Sequence, residues 1–406
     1  MSDFFQVPSF QEIKEKTEQF VLPTYRRQPV AFMFGQGEYL YDTDQKRYID
    51  FLCGVAVTSL GHGDADIVEA LRDQAERLIH TSNHFYIYEQ AQLAETLVNY
   101  SFPSKVFFCN SGTEANEAAF KLMRRYGQKK KGGASLVLSL EKSFHGRTAA
   151  SMALTGQEKI YNGFGPLMPD ILHIPANDIE YLEKVFDEKG SDICGMLVEL
   201  VQGEGGVRPM TQDFVQAARK LTEENQSLFV IDEIQTGFGR TGKLFAYENF
   251  SVMPDAITLA KGLGSGFPVG ALLVGNEYTD ILDAGSHGST FGGNPLAMRV
   301  AYETIRIIMT RDILSQSNSI ADYFMERMIS IKGAFPIVKE IRGMGLLLGM
   351  ELTIPGMPVV DACRNQGLLI NCTADTTLRL LPPLNVSLEV AAAGLDILED
   401  VLKKSC

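Results

Sequence analysis

The sequence lacks both the long apolar run of a membrane span and the basic excess of a nucleic-acid-binding surface. No stretch approaches the roughly 18 consecutive apolar residues that a transmembrane helix requires. The formal net charge is −13, whereas non-specific nucleic-acid binding requires a basic surface that releases phosphate counterions. The first residues include acidic side chains and no apolar core of a secretory signal. We therefore expect a cytoplasmic protein that binds neither membrane nor nucleic acid.

Cysteine is scarce and scattered along the chain. The six cysteines form no C-x-x-C pair, and no group of Cys and His has the spacing of a zinc site. We therefore expect free thiols in a reducing compartment and no bound metal. The negative net charge does not exclude a small anionic substrate, because a few arginines can make a positive site within an acidic protein.

What the sequence does contain is apolar material for a large core and an alternation of strands with helices. The chain has 406 residues, 45% of them hydrophobic, which is enough for two domains. Helical patterns such as residues 114–125 and 212–223 separate short apolar runs, which favours an α/β fold with a mostly parallel seven-stranded sheet. The predicted buried strands are residues 106–109, 135–140, 171–174, 196–200, 228–231, 256–259 and 271–274.

The two ends of the chain differ from this central part. Residues 11–20 predict a helix, and two short extended segments predict a hairpin around residues 43–45. After residue 295 a long helical stretch leads into a smaller mixed region. We therefore expect a smaller α+β domain that is formed by both chain ends. The predicted division is residues 1–63 for the first part of the smaller domain, 64–295 for the large domain, and 296–406 for the second part of the smaller domain.

Two charged residues follow predicted strands, at the sheet edge where ligands bind in α/β folds. Lys261 comes after the strand at 256–259 and opens a glycine-rich turn. Such a lysine is either a snorkelling or ion-paired side chain, or a desolvated amine able to form a Schiff base. Asp232 follows the strand at 228–231 and either stabilises a turn or holds the ring nitrogen of pyridoxal phosphate (PLP) protonated. Gln235, three residues on, is a candidate donor to the phenolic oxygen of that ring.

Small residues follow the strand that is predicted at 106–109. Ser111, Gly112 and Thr113 precede a helical pattern that begins at Glu114. A helix start of this kind exposes backbone N–H groups and the positive end of the helix dipole, which suits a phosphate. The same residues also fit an ordinary helix cap with a capping-box glutamate. The spacing alone is compatible with both interpretations.

Further candidates lie at the ends of other predicted strands or within an apolar run. Phe144 can stack on a planar ring, and Arg147 can bind a carboxylate with two hydrogen bonds. His145 lies between them and is given no role in proton transfer. Glu199 lies at a strand end. Arg379 lies within an apolar run, so it requires a partner or a ligand.

Each of these positions has an ordinary structural explanation when it is taken alone. Together they supply a lysine, a carboxylate for a ring nitrogen, a phosphate site, a stacking aromatic and carboxylate-binding arginines. PLP-dependent transamination requires this set in one cleft. We therefore predict that the candidates meet at the carboxyl edge of the large sheet.

From about residue 22 to residue 384 the motifs resemble those of the fold-type I, class III aminotransferases. Within this family they most resemble the motifs of the branch that acts on N2-acetylornithine. The segments that carry the resemblance are residues 22–25 (LPTY), 110–118 (NSGTEANEA), 143–148 (SFHGRT), 202–207 (QGEGGV), 231–242 (IDEIQTGFGRTG), 260–268 (AKGLGSGFP) and 287–295 (HGSTFGGNP). One departure follows His62, where the usual short turn with a His-Pro pair is replaced by Gly63-Asp64-Ala65. We expect this change to be local and without effect on the chemistry.

The resemblance implies a role for each candidate. Lys261 would be the Schiff-base lysine and general base, Asp232 the partner of the pyridine nitrogen, and Gln235 a neighbour of the ring oxygen. The remaining implied contacts are Ser111, Gly112, Thr113 and Phe144 for the cofactor, and Arg147, Ser289, Glu199 and Arg379 for the substrates. In this family the residue that matches Thr290 contacts the cofactor phosphate of the neighbouring subunit. The resemblance therefore implies a homodimer with shared sites. Glu199 would pair with Arg379 and uncover it when a dicarboxylate binds.

The implied reaction transfers the δ-amino group of N2-acetylornithine to 2-oxoglutarate in arginine biosynthesis. Residues 54–57 lack the tyrosine that ornithine aminotransferase places there for a free α-amino acid, so an acylated donor is favoured. The alternatives are another class III activity, on succinylornithine, ornithine, succinyl-diaminopimelate or 4-aminobutyrate, and a non-catalytic PLP-binding protein. A nicotinamide-binding Rossmann enzyme is excluded, because no G-x-G-x-x-G occurs in a first strand-to-helix turn with an acidic residue about 20 positions on.

Overall fold

A seven-stranded sheet forms the centre of the computed structural model, which describes residues 7–405. The expectations about the start of the chain and about Cys406 concern residues 1–6 and 406, which lie outside the described residues. Within residues 7–405 all five cysteines are free. The helices are α1 (Phe10–Phe20), α2 (Cys53–Ala56), α3 (Ala65–Arg77), α4 (Tyr88–Tyr100), α5 (Gly112–Lys130), α6 (Ala149–Leu154), α7 (Glu158–Tyr161), α8 (Ile179–Lys189), α9 (Gln212–Glu224), α10 (Pro295–Thr310), α11 (Ile313–Ala334), α12 (Met357–Asn365) and α13 (Leu388–Ser405).

The strands alternate with these helices in the central part of the chain and cluster near its two ends. They are β1 (Phe32–Gln36), β2 (Tyr39–Asp42), β3 (Arg47–Asp50), β4 (Ser104–Cys109), β5 (Leu136–Leu140), β6 (Ile171–Ile174), β7 (Ile193–Val198), β8 (Val201–Gln202), β9 (Arg208–Pro209), β10 (Leu228–Asp232), β11 (Ala256–Leu259), β12 (Gly270–Gly275), β13 (Val338–Met344), β14 (Leu347–Leu352), β15 (Leu368–Leu369), β16 (Asn371–Thr373) and β17 (Thr377–Leu380).

The large sheet has the order β4-β12-β11-β10-β7-β5-β6, and its strands correspond to the seven predicted apolar runs. Strand β12 is antiparallel to both of its neighbours, and the other six strands run in one direction. The predicted α/β fold with a mostly parallel sheet is therefore confirmed. The strands are buried on both faces because helices cover the sheet, and α5 packs against β7, β11 and β12.

Two smaller sheets contain the strands near the chain ends. One has the order β1-β2-β3-β15, in which the predicted hairpin pairs Tyr39 with Ile49 and β15 lies parallel to β3. Segments from both halves of the chain therefore share this sheet. The other sheet has the order β13-β14-β17-β16 and carries Arg379 on β17. No helix within residues 7–405 has the length and apolar character needed to cross a membrane.

Candidate active site

The residues that follow five strands of the large sheet line one cavity of about 400 Å³. Strands β4, β5, β7, β10 and β11 point in the same direction, so their carboxyl ends meet at one edge of the sheet. A cavity of this size is within the range of small-molecule sites. The predicted site residues that line it are Ser111, Gly112, Thr113, Phe144, Arg147, Glu199, Asp232, Gln235 and Lys261.

Lys261 lies two residues after the end of β11, in a short 3-10 turn, and has a positive φ of 43°. A left-handed backbone is unfavourable for a residue with a Cβ and is typical of functional sites. Its side chain is half-buried. Burial lowers the pKa of the amine, and the nearby Arg379 guanidinium lowers it further, while the carboxylates of Glu204 and Asp232 oppose the shift. A larger fraction of the amine is therefore neutral than in a solvent-exposed lysine.

Asp232 is held in a fixed orientation at the end of β10. One carboxylate oxygen, Oδ2, accepts hydrogen bonds from Asn116 Nδ2 at 2.8 Å and from His145 Nδ1 at 2.7 Å. The other, Oδ1, accepts from the backbone N–H of Ile234 at 3.0 Å. The carboxylate is buried and lines the cavity, and an oriented anion of this kind suits a protonated ring nitrogen.

Sequence reasoning missed the two side chains that orient Asp232. Asn116 is fully buried on α5, where its neighbours Ala115, Ala118 and Ala119 belong to the core. A buried amide on such an apolar helix face requires a polar partner, and that was the available signal. His145 was assigned no proton-transfer role, and the structure shows its imidazole in contact with Asp232 rather than in a solvent-exposed loop.

The first turn of α5 opens onto the cavity. Ser111 caps the helix through its Oγ, which accepts from the N–H of Glu114 at 3.3 Å, so the helix starts where the cap predicts. Gly112 is required by space, because a Cβ at this position would lie 2.7 Å from Ile234 Cδ1. The N-terminal N–H groups of this 19-residue helix border the cavity, an arrangement that is suited to binding an anion such as phosphate.

Thr113 joins the start of this helix to the loop after β5. Its Oγ1 lies 3.0 Å from the Thr148 Oγ1 and accepts from the N–H of Arg147 at 3.2 Å. A Cβ on Gly146 would lie 2.2 Å from the same hydroxyl oxygen, so the loop can approach only with glycine there. The Arg147 guanidinium is 5.7 Å from the centre of the Phe144 ring. A planar aromatic and a cation therefore border the same side of the cavity.

Glu199 lies deep in the cavity wall and is bound by backbone donors. Its Oε1 accepts from the N–H of Phe144 at 2.7 Å, and its Oε2 accepts from the N–H of Gly203 at 3.2 Å. Burial raises the pKa of this carboxyl to about 7 despite these hydrogen bonds. Glu199 therefore fixes the positions of the Phe144 and Gly203 loops.

The partner of Arg379 is Glu204, and the expected pairing with Glu199 is wrong in this geometry. Arg379 Nη2 lies 2.8 Å from Glu204 Oε1, while its other nitrogens donate to Asn371 Oδ1 at 3.1 Å and Gln235 Oε1 at 3.3 Å. Arg379 is 1% exposed and Glu204 lines the cavity. The turn that follows β8 carries Glu204 over the guanidinium, so the glutamate covers the arginine.

Besides Arg379, which is covered by Glu204, two predicted residues do not line the cavity of Lys261. Ser289 and Thr290 border an adjoining hollow of about 560 Å³. The Ser289 hydroxyl is fixed by Asn110, whose Nδ2 donates to Ser289 Oγ at 3.1 Å, and Asn110 borders both spaces. Within this chain the two residues are therefore neighbours of the cavity and do not belong to its wall.

Glu233, adjacent to Asp232, has a structural role. Its carboxylate is fully buried and accepts from the Thr236 hydroxyl and from the N–H groups of Ala246 and Tyr247, each at 2.9 Å. It thereby anchors the 3-10 turn at Ala246–Phe250. Its side chain is committed to the fold and is not a wall of the cavity.

The chain is similar to known aminotransferases over almost its full length. The family model "Aminotransferase class-III" matches residues 23–402. An acetylornithine aminotransferase of Caldanaerobacter subterraneus subsp. tengcongensis is 43% identical over 389 residues, which is 95% of this chain and 98% of the relative. One of Methanocaldococcus jannaschii is 41% identical over 389 residues, which is 95% of this chain and 96% of the relative.

Solved structures of such enzymes share the fold. The ornithine aminotransferase of Toxoplasma gondii matches with a TM-score of 0.94 at 30% identity and covers 98% of this chain and 96% of its own. An acetylornithine aminotransferase of Elizabethkingia anophelis matches with a TM-score of 0.89 at 32% identity and covers 97% of this chain and 99% of its own. Residues, fold and relatives agree, and the chain belongs to the class-III aminotransferases, which are PLP-dependent enzymes.

Proposed function

We propose that this enzyme transfers the δ-amino group of N2-acetylornithine to 2-oxoglutarate, as a homodimer. The observation that carries the proposal is the meeting of Lys261, Asp232 and the start of α5 in one cavity, with Arg379 covered by Glu204 at its side. The relatives that are named acetylornithine aminotransferases support this amino donor.

The residues of the cavity fit PLP. The N–H groups at Gly112 and Thr113 would hold its phosphate, and the Phe144 ring would lie against its ring. Asp232, oriented by two side chains, would accept a hydrogen bond from the protonated ring nitrogen, and Gln235 would lie near the ring oxygen. When bound, the cofactor supplies an electron sink for the carbon that loses a proton.

Lys261 carries out the proton transfer in this proposal. Its amine would hold the cofactor when no substrate is bound. Once free, the amine would take a proton from the δ-carbon of the donor and later give that proton up, as base and then as acid. The lowered pKa of Lys261 favours this role, because the amine must be neutral to accept the proton.

Arg147 and Arg379 allow one cavity to accept two unlike substrates. Arg147 would bind the α-carboxylate of N2-acetylornithine, while Glu204 keeps Arg379 covered. 2-Oxoglutarate has a carboxylate at each end, so its second carboxylate would displace Glu204 and pair with Arg379. The switch that the resemblance assigned to Glu199 is therefore proposed for Glu204.

Exposed aromatic residues beside the hollow of Ser289 and Thr290 support a homodimer. Phe85, Tyr86 and Phe291 are all more than half exposed, and Asn83 Nδ2 donates to the Gly292 carbonyl at 2.8 Å, so their segments are joined. An apolar patch of this kind is typical of an interface. A second copy bound here would bring its Thr290 to the phosphate of this chain's cofactor.

Steady-state kinetics on a panel of amines test the amino donor. We expect the highest kcat/KM for N2-acetylornithine among acetylornithine, succinylornithine, ornithine and 4-aminobutyrate, with 2-oxoglutarate as the acceptor. Cys53, Val55 and Ala56 form a left-handed turn that leads to Val57 in the cavity wall, and none of these residues has a hydroxyl to offer a free α-amino group. A higher kcat/KM for ornithine would contradict the proposed donor while leaving the PLP chemistry intact.

A further inference from the structure

A buried arginine behind the Glu204–Arg379 pair contacts both the turn that carries Glu204 and the strand that carries Arg379. Arg342 lies on β13 and is 9% exposed. Its Nε donates to the carbonyl oxygens of Gly206 at 2.8 Å and Val207 at 3.1 Å, and its Nη2 donates to the Thr377 hydroxyl at 3.0 Å. These contacts lie outside the cavity, whose wall does not include Arg342.

The backbone carbonyls belong to the turn that presents Glu204. Strands β8 and β9 form a short antiparallel hairpin, and residues 203–207 are its tip. Glu204 lies at this tip, two residues before Gly206. A second contact on the tip comes from Thr373, whose hydroxyl donates to the Glu204 carbonyl. Arg342 therefore holds the tip at Gly206 and Val207, and Thr373 holds it at Glu204.

The hydroxyl of Thr377 belongs to the strand that presents Arg379. The two residues are separated by one position on β17, so their side chains point to the same face of the sheet. Thr377 also lies opposite Glu351 on β14. Arg342 Nη1 donates to Glu351 Oε2 at 2.5 Å, which fixes the guanidinium against the sheet. One planar group with five donors thereby joins the hairpin tip to the strand of Arg379.

We propose that Arg342 is a positioning residue that sets how readily Glu204 releases Arg379 to a dicarboxylate, an inference that rests on the proposed role of that ion pair. A tip that is held in place keeps the Glu204 carboxylate at a high effective concentration beside Arg379. Loss of the Arg342 contacts loosens the tip, so an added dicarboxylate competes with Glu204 more successfully. Arg342 thus biases the cavity towards the form that accepts the acylated donor.

Glutarate binding to the PLP-loaded enzyme measures this bias without turnover. Glutarate has both carboxylates of 2-oxoglutarate and lacks the keto group, so it binds without reacting. For Arg342→Gln we expect the glutarate Kd, measured by titration of the cofactor absorbance, to fall about three- to tenfold, within the usual range of coupling between sites. The KM for 2-oxoglutarate should fall in the same direction and the KM for N2-acetylornithine should rise.

Two further variants distinguish positioning from a contribution to stability alone. Lys339→Gln removes another cation that contacts Glu351, at 2.8 Å, without touching the hairpin tip, and should bind glutarate like the unchanged enzyme. Arg342→Lys keeps the charge but cannot reproduce the fork of hydrogen bonds, so it should also lower the glutarate Kd. Arg342 variants that lose thermal stability while their glutarate Kd stays within twofold of the Lys339→Gln value would overturn the inference.

The Glu204→Gln background separates this inference from the proposed function. Removal of the Glu204 charge should by itself lower the glutarate Kd, and Arg342→Gln added to it should have no further effect. An unchanged Kd in Glu204→Gln would contradict the proposed switch and the inference with it. A lower glutarate Kd in Glu204→Gln together with an unchanged glutarate Kd in Arg342→Gln would contradict only the inference. The inference alone would also be contradicted if Arg342→Gln still lowered the glutarate Kd in the Glu204→Gln background.

Discussion

His145 Nδ1 lies 2.7 Å from Asp232 Oδ2, and both side chains are almost completely buried. The same carboxylate oxygen accepts from Asn116, so two side chains from different elements fix its direction. The opposite ring nitrogen, His145 Nε2, has no hydrogen-bond partner within the described residues. The imidazole is therefore committed to Asp232, and we regard His145 as a positioning residue for this carboxylate, which we propose as the partner of the ring nitrogen of PLP.

Replacement of His145 should weaken catalysis more than substrate binding. In His145→Ala the carboxylate of Asp232 loses one of its two side-chain donors, so we expect kcat to fall about tenfold or more while KM changes little. The pH at which the absorbance of the bound cofactor changes should shift as well. His173→Gln is a matched control, because His173 is a partly buried histidine that hydrogen-bonds to the Ala153 carbonyl, at 3.1 Å, and stacks on Tyr161 instead of contacting Asp232. Equal effects in both variants would count against a specific role.

Gly112→Ala should reduce cofactor retention. The added Cβ would lie 2.7 Å from Ile234 Cδ1 and 2.9 Å from Ile234 Cγ2, so the first turn of α5 or the Ile234 side chain, both of which line the cavity, must move. We expect the PLP Kd, measured by fluorescence after dialysis, to rise about tenfold or more, and the double variant with Ile234→Ala to recover part of the loss.

Gly333→Ala is the control for this prediction, since a Cβ there meets no atom within 4 Å. Gly333 lies within α11, far along the chain from the cavity residues. A PLP Kd in Gly112→Ala that equals the Gly333→Ala value would show that the helix start does not hold the phosphate.

The buried Glu199 should make stability depend on pH. Burial raises its pKa from 4.5 to about 7, so the folded state binds this proton more tightly than the unfolded state. The favourable contribution is complete below about pH 4.5 and is lost as the pH rises through about 7. In Glu199→Gln this titration is absent, so the stability of the variant relative to the unchanged protein should rise between pH 5 and pH 8, by roughly 3 kcal/mol at most.

Denaturant unfolding at several pH values measures this difference. A constant offset is expected, because glutamine cannot accept from both the Phe144 and the Gly203 N–H groups as the carboxylate does. Glu233, whose pKa burial also raises to about 7, titrates in both proteins and cancels from the comparison. A difference in stability that is the same at every pH would contradict the assignment to Glu199.

Active sites that are shared between subunits should complement one another. Lys261→Ala and Thr290→Ala are each expected to be nearly inactive as homodimers. A mixed dimer has one site with an intact Lys261 from one subunit and an intact Thr290 from the other. Mixing equal amounts after reversible dissociation should therefore restore roughly a quarter of the original activity if subunits pair at random. Mixtures that stay as inactive as their components would exclude a shared site.

Much of the fold could be predicted because the central strands are short apolar runs between helical patterns. All seven entered the large sheet, although the run predicted at 196–200 is observed as Ile193–Val198. The carboxyl ends of parallel strands meet at one edge, so the meeting of Asp232 and Lys261 followed from the parallel direction of their strands. The antiparallel direction of β12 was not predicted, because a buried apolar strand has the same pattern in either direction.

The partner of Arg379 could not be predicted in the same way. Glu199 and Glu204 are five positions apart in the sequence, and both line the cavity. The choice between them depends on the path of the turn after β8. Arg342 and Thr373, which are distant in the sequence, contact this turn and fix its path. The contact between His145 and Asp232 is likewise long-range, across 87 positions. No local pattern encodes such pairings.

The absorbance of the purified, PLP-loaded enzyme tests the central claim that Lys261 holds the cofactor and performs the proton transfer. We predict a visible cofactor band in the unchanged protein that bleaches when N2-acetylornithine is added and returns when 2-oxoglutarate follows. In Lys261→Ala the band of the lysine-bound cofactor should be absent and turnover should be abolished. A Lys261→Ala variant that keeps both the band and the turnover would contradict the account.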